Sequence, residues 1–114
     1  MKSTTRIRIK EKDINNNYID VCKIIDIFDD VAGELLIRNE GHDGILKGYE
    51  ELELIKPIGV GDYIDVVGQI IAFNDTRIKV KFEVYKVLDG EHEKYLLLPE
   101  IVCKAIGVFE VVEN

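Results

Sequence analysis

The sequence predicts an α+β domain in which one long central helix is wrapped by a curled antiparallel β-sheet. Two observations lead to this class. Residues 20–38 carry apolar side chains at three- and four-residue steps, whereas the chain that follows consists almost entirely of strand-like segments. Apolar residues also cover more than half of the predicted helix, so we expect other elements to contact most of its sides. The 114 residues, 1–114, fit a single domain.

The predicted helix carries signals at both ends. Asp20 can accept hydrogen bonds from free N–H groups of the first turn, and Asn39 and Gly41 offer a stop. Seven apolar side chains then form the predicted buried face: Val21, Ile24, Ile25, Phe28, Val31, Ala32 and Leu35.

Five segments have the pattern of strands, namely 5–10, 49–55, 63–73, 77–87 and 101–112. The fourth alternates most clearly, with Ile78, Val80, Phe82 and Val84 predicted to point inward. In 49–55 the pattern places Leu52 and Leu54 on one face, and Tyr49, Glu51 and Glu53 on the other. Segment 63–73 is apolar on both faces, as a strand covered twice would be. Polar or glycine-containing stretches at 13–17, 40–44, 57–62 and 74–76 predict loops and turns.

A strand, a long apolar helix and then four antiparallel strands form the layout of the hotdog fold. Such a sheet leaves an edge strand and part of the helix uncovered. Because two protomers can hide both by pairing, we expect a homodimer at minimum.

Composition excludes some classes of function. A net charge of −7 argues against nucleic-acid binding, since phosphate contacts need a basic face. The first residues lack the apolar core of a signal peptide and no run has membrane-spanning length, so we expect a cytoplasmic protein that does not bind membranes. Cys22 and Cys103 are isolated within apolar segments, which predicts reduced core thiols.

Three acidic residues, Asp26, Asp30 and Glu34, recur at four-residue steps along the predicted helix. One interpretation is a solvated acidic stripe in which Glu34 pairs with Arg38 at i,i+4. The other is that the apolar surroundings desolvate these carboxylates, which raises the pKa toward the range where a general base works best.

Basic side chains alternate along the predicted strand 77–87. Arg77, Lys79 and Lys81 share one of its faces, and Lys104 belongs to a segment that can neighbour it. This face is either an ordinary solvated sheet surface or a place where anionic phosphates dock. His42 and His92 stand in polar loops without companion ligands, so we predict no metal site.

Several motifs together resemble a known family. The helix segment Asp30-Val31-Ala32-Gly33-Glu34-Leu35-Leu36-Ile37-Arg38 is similar to that of the hotdog 3-aminobutyryl-CoA and β-alanyl-CoA ammonia-lyases of amino-acid fermentation. The resemblance continues through Gly48-Tyr49, Pro57, Gly61-Asp62, Lys79, Lys81-Phe82-Glu83 and Val102-Cys103-Lys104-Ala105 with Gly107. The chain departs from the family pattern in three places. A His-Tyr-x-Gly stretch is replaced by residues 14–17, with Asn17 matching the family asparagine; Asp29 replaces glycine; and Gly33 replaces threonine.

The resemblance implies elimination of ammonia from a short β-aminoacyl-CoA to give the enoyl-CoA, with lysine degradation among the family's settings. It implies Glu34 as the base for the α-proton and Asp30 as the partner of the amine, with the two roles exchangeable. It further implies substrate contacts at Asn17, Tyr49, Lys79, Lys81 and Lys104. No metal or organic cofactor is expected beyond the coenzyme A of the substrate, and tetramers or hexamers are as compatible as dimers.

Two other functions remain open on the sequence. In an acyl-CoA thioesterase, the commonest hotdog activity, Glu34 would activate water toward the thioester. A non-catalytic CoA-binding protein would fit the loss of the His-Tyr-x-Gly stretch.

Overall fold

The computed structural model describes residues 1–91 and 98–111 and has the predicted α+β architecture. One helix lies against a five-stranded antiparallel sheet whose strand order is β1-β5-β6-β7-β4. A separate two-stranded hairpin, β2–β3, precedes the helix. The elements are β1 (Lys2–Arg8), a 3₁₀ turn (Glu11–Asp13), β2 (Ile14–Asn15), β3 (Tyr18–Ile19), α1 (Val21–Glu40), β4 (Gly44–Leu54), β5 (Tyr63–Asn74), β6 (Arg77–Leu88) and β7 (Glu100–Val111).

Both predicted ends of α1 are confirmed. The Asp20 carboxylate accepts hydrogen bonds from the backbone N–H groups of Cys22 and Lys23, at 2.8 and 3.2 Å. Gly41 ends the helix in the left-handed conformation, with φ of 73°, and its N–H donates to the carbonyl of Ile37 at 2.9 Å. Glycine adopts this conformation without a Cβ penalty.

The buried face of α1 confirms most of the prediction. Five of the seven expected residues are buried; Val21 is 37% exposed and Ile25 is half-buried, because the buried stripe is narrower than the apolar one. Phe28 anchors the helix by stacking on Phe82 of β6, with ring centroids 4.4 Å apart. The helix residues that enter the core are Ile24, Ile27, Phe28, Val31, Ala32, Leu35 and Leu36.

A glycine in β5 allows the helix to approach the sheet. A Cβ at Gly68 would lie 2.7 Å from Cγ1 of Val31 and 3.1 Å from Cδ1 of Leu35. Contacts that short force atoms apart, so the close packing of α1 on β5 requires glycine here.

The outer side of α1 is not covered within one chain. Asp26 and Ile37 lie on it, and Ile37 is 54% exposed. The expectation that other elements contact most sides of the helix is therefore not met inside a single chain, because the sheet covers only one side of α1.

The sheet matches the predicted strands with shifts at their ends. Ile78, Val80, Phe82 and Val84 of β6 are all fully buried, as predicted. β1 begins earlier than expected and ends at Arg8. β5 is buried on one face only, and its distal end is exposed. The expectation of a strand covered on both faces was therefore wrong, because α1 covers only one face of the sheet and β5 lies next to the edge strand β1.

β4 corrects a second prediction. Its pairing with β7 shifts register between Tyr49 and Glu51, where one extra residue bulges out. A bulge reverses the alternation of side chains, so Tyr49 and Leu52 both pack against the core. The prediction that Tyr49 shares a face with Glu51 was wrong for this reason.

The stretch predicted as a loop at 13–17 contains a small hairpin instead. β2 and β3 pair across Asn16 and Asn17, whose φ values are 58° and 79°. Two consecutive left-handed residues form the tight turn that asparagine tolerates best among residues with a side chain.

The two cysteines differ in their exposure to solvent. Cys103 is buried as predicted, and burial together with Glu53 raises its thiol pKa to about 11, as expected for an inert core thiol. Cys22 is exposed, so its prediction as a core residue was wrong; it lies in the first turn of α1, away from the buried stripe. Within the described residues no helix is both long and apolar enough to span a membrane.

Candidate active site

A groove runs between β1 and α1, which are antiparallel to each other. At one end, the Ser3 hydroxyl donates a hydrogen bond to Oε2 of Glu34 at 3.2 Å. At the other end, Nζ of Lys23 lies 3.4 Å from Oδ1 of Asp13. We call this feature the β1–α1 groove and define its walls by Ser3, Arg6, Ile7 and Lys10 on one side and Lys23, Ile27, Asp30 and Glu34 on the other.

Both predicted catalytic carboxylates border this groove. Asp30 lines its middle, and Glu34 lies one helical turn further along. The Glu34 side chain is 51% exposed and lies 3.5 Å from the Arg38 guanidinium, which is the i,i+4 pair of the solvated interpretation. Asp30 is also exposed. In a single chain, therefore, neither carboxylate is withdrawn from water, and their catalytic roles stay predictions.

The middle and far end of the groove form a cleft of about 470 Å³. Its lining is strongly basic: Arg6, Arg8, Lys10, Lys12 and Lys23 face only Asp13 and Asp30. The sequence pattern did not predict this cluster, because its cations come from separate segments of the chain. The alternating cations at 6, 8 and 10 were visible, but their proximity to Lys12 and Lys23 depends on the packing of α1 on β1.

The opposite flank of α1 presents a different carboxylate, Asp29. Partial burial, with help from Asp43, Asp30 and Asp26, raises the pKa of the Asp29 carboxyl. Nearby Tyr49 has its pKa raised to about 12, first by burial and then by Asp29. Its hydroxyl is buried and has no hydrogen-bond partner among the described residues. Tyr49 therefore remains a candidate site residue. Asp29 is a further candidate, which in the sequence is distinguished only as a departure from the family pattern.

The predicted phosphate-binding lysines lie elsewhere. Lys79, Lys81 and Lys104 point away from the helix, on the outer face of the sheet. Each is paired with a glutamate: Lys79 with Glu50, Lys81 with Glu83 at 3.7 Å, and Lys104 with Glu51 at 3.6 Å. The chain does not bring them together with Asp30 or Glu34, and this arrangement is the solvated sheet surface that the sequence also allowed.

Asn17 lines a separate cavity of about 540 Å³ together with Tyr18, Asp62 and Lys86. At its wall, Nζ of Lys86 lies 3.1 Å from Oδ2 of Asp62, and both side chains are almost fully buried. Asp62 also accepts hydrogen bonds from the N–H groups of Gly59 and Gly90, at 2.8 and 2.7 Å. This network joins the turn before β5 to the end of β6. It explains the Gly61-Asp62 motif as a structural feature.

Histidine gives no support for a metal site. His42 is half-buried in the turn before β4, and His92 lies outside the described residues. Within residues 1–91 and 98–111, no three side chains of His, Cys, Asp and Glu are grouped closely enough to hold a metal ion.

Several solved structures share this architecture. β-Alanyl-CoA:ammonia lyase from Clostridium propionicum superimposes with a TM-score of 0.83 at 22% identity, over 98% of this chain and 85% of that one. The acyl-CoA hydrolase of Staphylococcus aureus, solved with butyryl coenzyme A, gives 0.85 at 12% identity. The present chain is covered to 99% but spans only 66% of that hydrolase. A further neighbour, from Yersinia pestis, is a hexameric thioesterase, with a TM-score of 0.80 at 16% identity over 96% of this chain and 86% of that one. These likenesses establish the hotdog fold that was predicted.

Sequence comparison establishes the family. The chain matches no family model. It is, however, 36% identical over 115 residues to the 3-aminobutyryl-CoA ammonia lyase of Acetoanaerobium sticklandii, a match that covers 94% of this chain and 91% of that protein. Identity at this level over nearly the whole length of both chains confirms the resemblance drawn from the motifs. The chain belongs to the 3-aminobutyryl-CoA ammonia lyase family of carbon–nitrogen lyases with the hotdog fold.

Proposed function

We propose that this protein eliminates ammonia from a short β-aminoacyl-CoA, of the 3-aminobutyryl-CoA type, to give the enoyl-CoA, and catalyses the reverse addition. The observation that carries the proposal is the near full-length identity to a lyase of that name. The β1–α1 groove supports it, since two carboxylates stand one helical turn apart along one wall.

In the proposed mechanism, Glu34 removes the proton next to the thioester carbonyl. The electron pair left on that carbon forms the new double bond, and the β-carbon–nitrogen bond breaks with its electrons going to nitrogen. The substrate ammonium thus departs as ammonia, and the proton held by Glu34 can return to it as ammonium. Ser3 supports this role, because its hydroxyl donates to Oε2 of Glu34 and orients the carboxylate.

Asp30 is the proposed partner of the amine. A carboxylate stabilises the substrate ammonium electrostatically and holds it at the β-carbon, while the neighbouring carboxylate works on the α-proton. Its place in the lining of the cleft, one helical turn from Glu34, is compatible with this role.

The first experiment incubates the purified protein with crotonyl-CoA and ammonium, and follows the enoyl absorbance and free thiol together. Loss of the enoyl signal without thiol release is the expected result and identifies amination. Thiol release would instead identify hydrolysis. Binding of CoA without either change, repeated with acryloyl-CoA, would favour the non-catalytic alternative.

Asp30→Asn is expected to separate the two chemistries. The amide keeps the size of the side chain but loses the charge that holds the ammonium, so amination should fall at least about tenfold, the effect of one modest charge contact. Hydrolysis of the same thioester, where measurable, should be spared because it involves no amine. An equal loss of both activities would assign Asp30 a structural role.

Thioester hydrolysis is the second candidate function, and the flank of α1 opposite the groove favours it. The raised pKa of Asp29 brings that carboxyl closer to the range of a general base that activates water. The buried, unpartnered Tyr49 hydroxyl beside it could donate a hydrogen bond to a thioester carbonyl.

Asp29→Asn tests this second site. If Asp29 is the hydrolytic base, thiol release should fall about 10²–10⁴-fold, and wild-type hydrolysis should decline as pH falls through the raised Asp29 pKa and the base becomes protonated. Unchanged thiol release would exclude the Asp29–Tyr49 flank from that chemistry.

We also propose that the working unit is an oligomer, at least a homodimer. β4 is an edge strand of the sheet, and Ile45 on it and Ile37 on the uncovered side of α1 are each 54% exposed. Covering these surfaces would pair the free edge of β4 and shield both exposed isoleucine side chains from water. A single-chain mass in solution at micromolar concentration would contradict the proposal.

A further inference from the structure

We infer that the basic end of the β1–α1 groove holds the phosphates of the coenzyme A substrate, with the pantetheine arm lying along the groove toward Asp30 and Glu34. The inference rests on the proposed function, because it takes a CoA thioester as the substrate. It places the phosphates at this end of the groove and not on the outer face of the sheet, where the sequence predicted contacts with Lys79, Lys81 and Lys104.

The lining of the cleft is rich in positive charge. The cleft of about 470 Å³ gathers five cationic side chains and two carboxylates, within a chain whose net charge is −7. An anionic ligand approaching an acidic protein needs such a local concentration of positive charge. The five cations are Arg6, Arg8, Lys10, Lys12 and Lys23.

Some of these cations are already paired within the chain, and others are available to a ligand. Arg6 is engaged by Asp65 through two hydrogen bonds, at 2.7 and 2.9 Å, and Lys23 is paired with Asp13. Lys10 and Lys12 are exposed and form no ion pair within residues 1–91 and 98–111. In contrast, every lysine of the outer sheet face proposed from the sequence already has a glutamate partner.

The two ends of the groove differ in chemistry. β1 and α1 run antiparallel, so the basic end near Lys23 and the Ser3–Glu34 contact lie at opposite ends of the β1–α1 groove. The rise of an α-helix separates Lys23 from Glu34 by about 16 Å along the axis. A ligand with phosphates at one end, a long flexible arm and a reactive thioester at the other fits this polarity.

The shape of the cleft is consistent with that ligand. Ile7 and Ile27 contribute apolar surface between the basic end and Glu34, where the arm would lie. Arg8 lies over the ring of Tyr63 at 5.9 Å, which orients its guanidinium at the rim of the cleft.

The test measures equilibrium binding of free coenzyme A and dephospho-coenzyme A to the intact protein. The variant is K10Q/K12Q, which removes two exposed charges without touching the core. The matched control is K56Q, an exposed lysine paired with Glu100 and distant in sequence from the cleft. We expect the Kd for coenzyme A to rise at least about tenfold in K10Q/K12Q and less than twofold in K56Q, since one phosphate contact contributes about a factor of ten. Affinity should also fall less steeply with salt in the double variant.

Three outcomes would overturn the inference. K10Q/K12Q could bind coenzyme A as tightly as the wild type, while K79Q/K81Q/K104Q loses affinity; phosphate docking would then be on the outer sheet face and the proposed lyase function would stand. All variants could bind equally, which would exclude both surfaces. Wild-type protein that binds neither coenzyme A nor its dephospho form would remove the proposed function together with the inference.

Discussion

Glu34→Gln is expected to lower kcat for amination of crotonyl-CoA by about 10²–10⁴-fold, the usual contribution of a positioned general base. The amide cannot accept the α-proton, yet it preserves the size of the side chain and an acceptor for the Ser3 hydroxyl. The measurement is steady-state turnover, with loss of enoyl absorbance recorded alongside thiol release. Asp26→Asn is the matched control, because Asp26 lies on the same acidic stripe but is exposed and outside the groove.

A wild-type rate in Glu34→Gln, for both amination and hydrolysis, would remove Glu34 from the chemistry. The raised pKa of Asp29 would then make it the next carboxylate to test. Because Asp29 and Glu34 lie on opposite flanks of α1, the pair of variants also shows which flank faces the substrate.

Asp62→Ala is expected to destabilise the protein by about 3–5 kcal/mol, the cost of removing one partner from a buried ion pair. Lys86 is only 7% exposed, and its remaining partners among the described residues are the carbonyl of Pro57 and the carboxylate of Asp89, at 3.4 and 3.5 Å. The substitution also leaves the N–H groups of Gly59 and Gly90 without their acceptor. Urea denaturation gives the free energy of unfolding that checks this value.

Glu50→Ala provides the comparison for that experiment. Glu50 pairs with Lys79, but both side chains are more than 40% exposed, and such surface pairs contribute about 0–1 kcal/mol. A loss below about 1 kcal/mol in Asp62→Ala would show that the buried network adds little beyond a surface pair.

The fold could be predicted from the sequence because its signals are local. The Asp20 cap, the apolar steps of α1 and the alternation of β6 each follow from neighbouring residues, and each is confirmed. The alternation of side chains gives a wrong prediction where one extra residue interrupts a strand. The bulge at Glu50 places Tyr49 on the opposite face of β4 from the one predicted, and nothing in the local sequence marks that position. The family, too, followed from short motifs, and the near full-length relative confirms it.

The contacts of the candidate carboxylates and of the basic side chains could be seen only in the tertiary structure. Ser3 reaches Glu34 across 31 residues of chain, and the basic end of the groove combines β1, the 3₁₀ turn and α1. Whether a charged side chain is exposed, paired or available depends on which segments pack beside it, and sequence period carries no information about such distant neighbours. The sequence by itself therefore determined the hotdog fold, the family and the acidic stripe of the helix. Packing of α1 on β1 placed Lys10 and Lys12, which form no ion pair among the described residues, beside that stripe, whereas Lys79, Lys81 and Lys104 on the outer sheet face each pair with a glutamate.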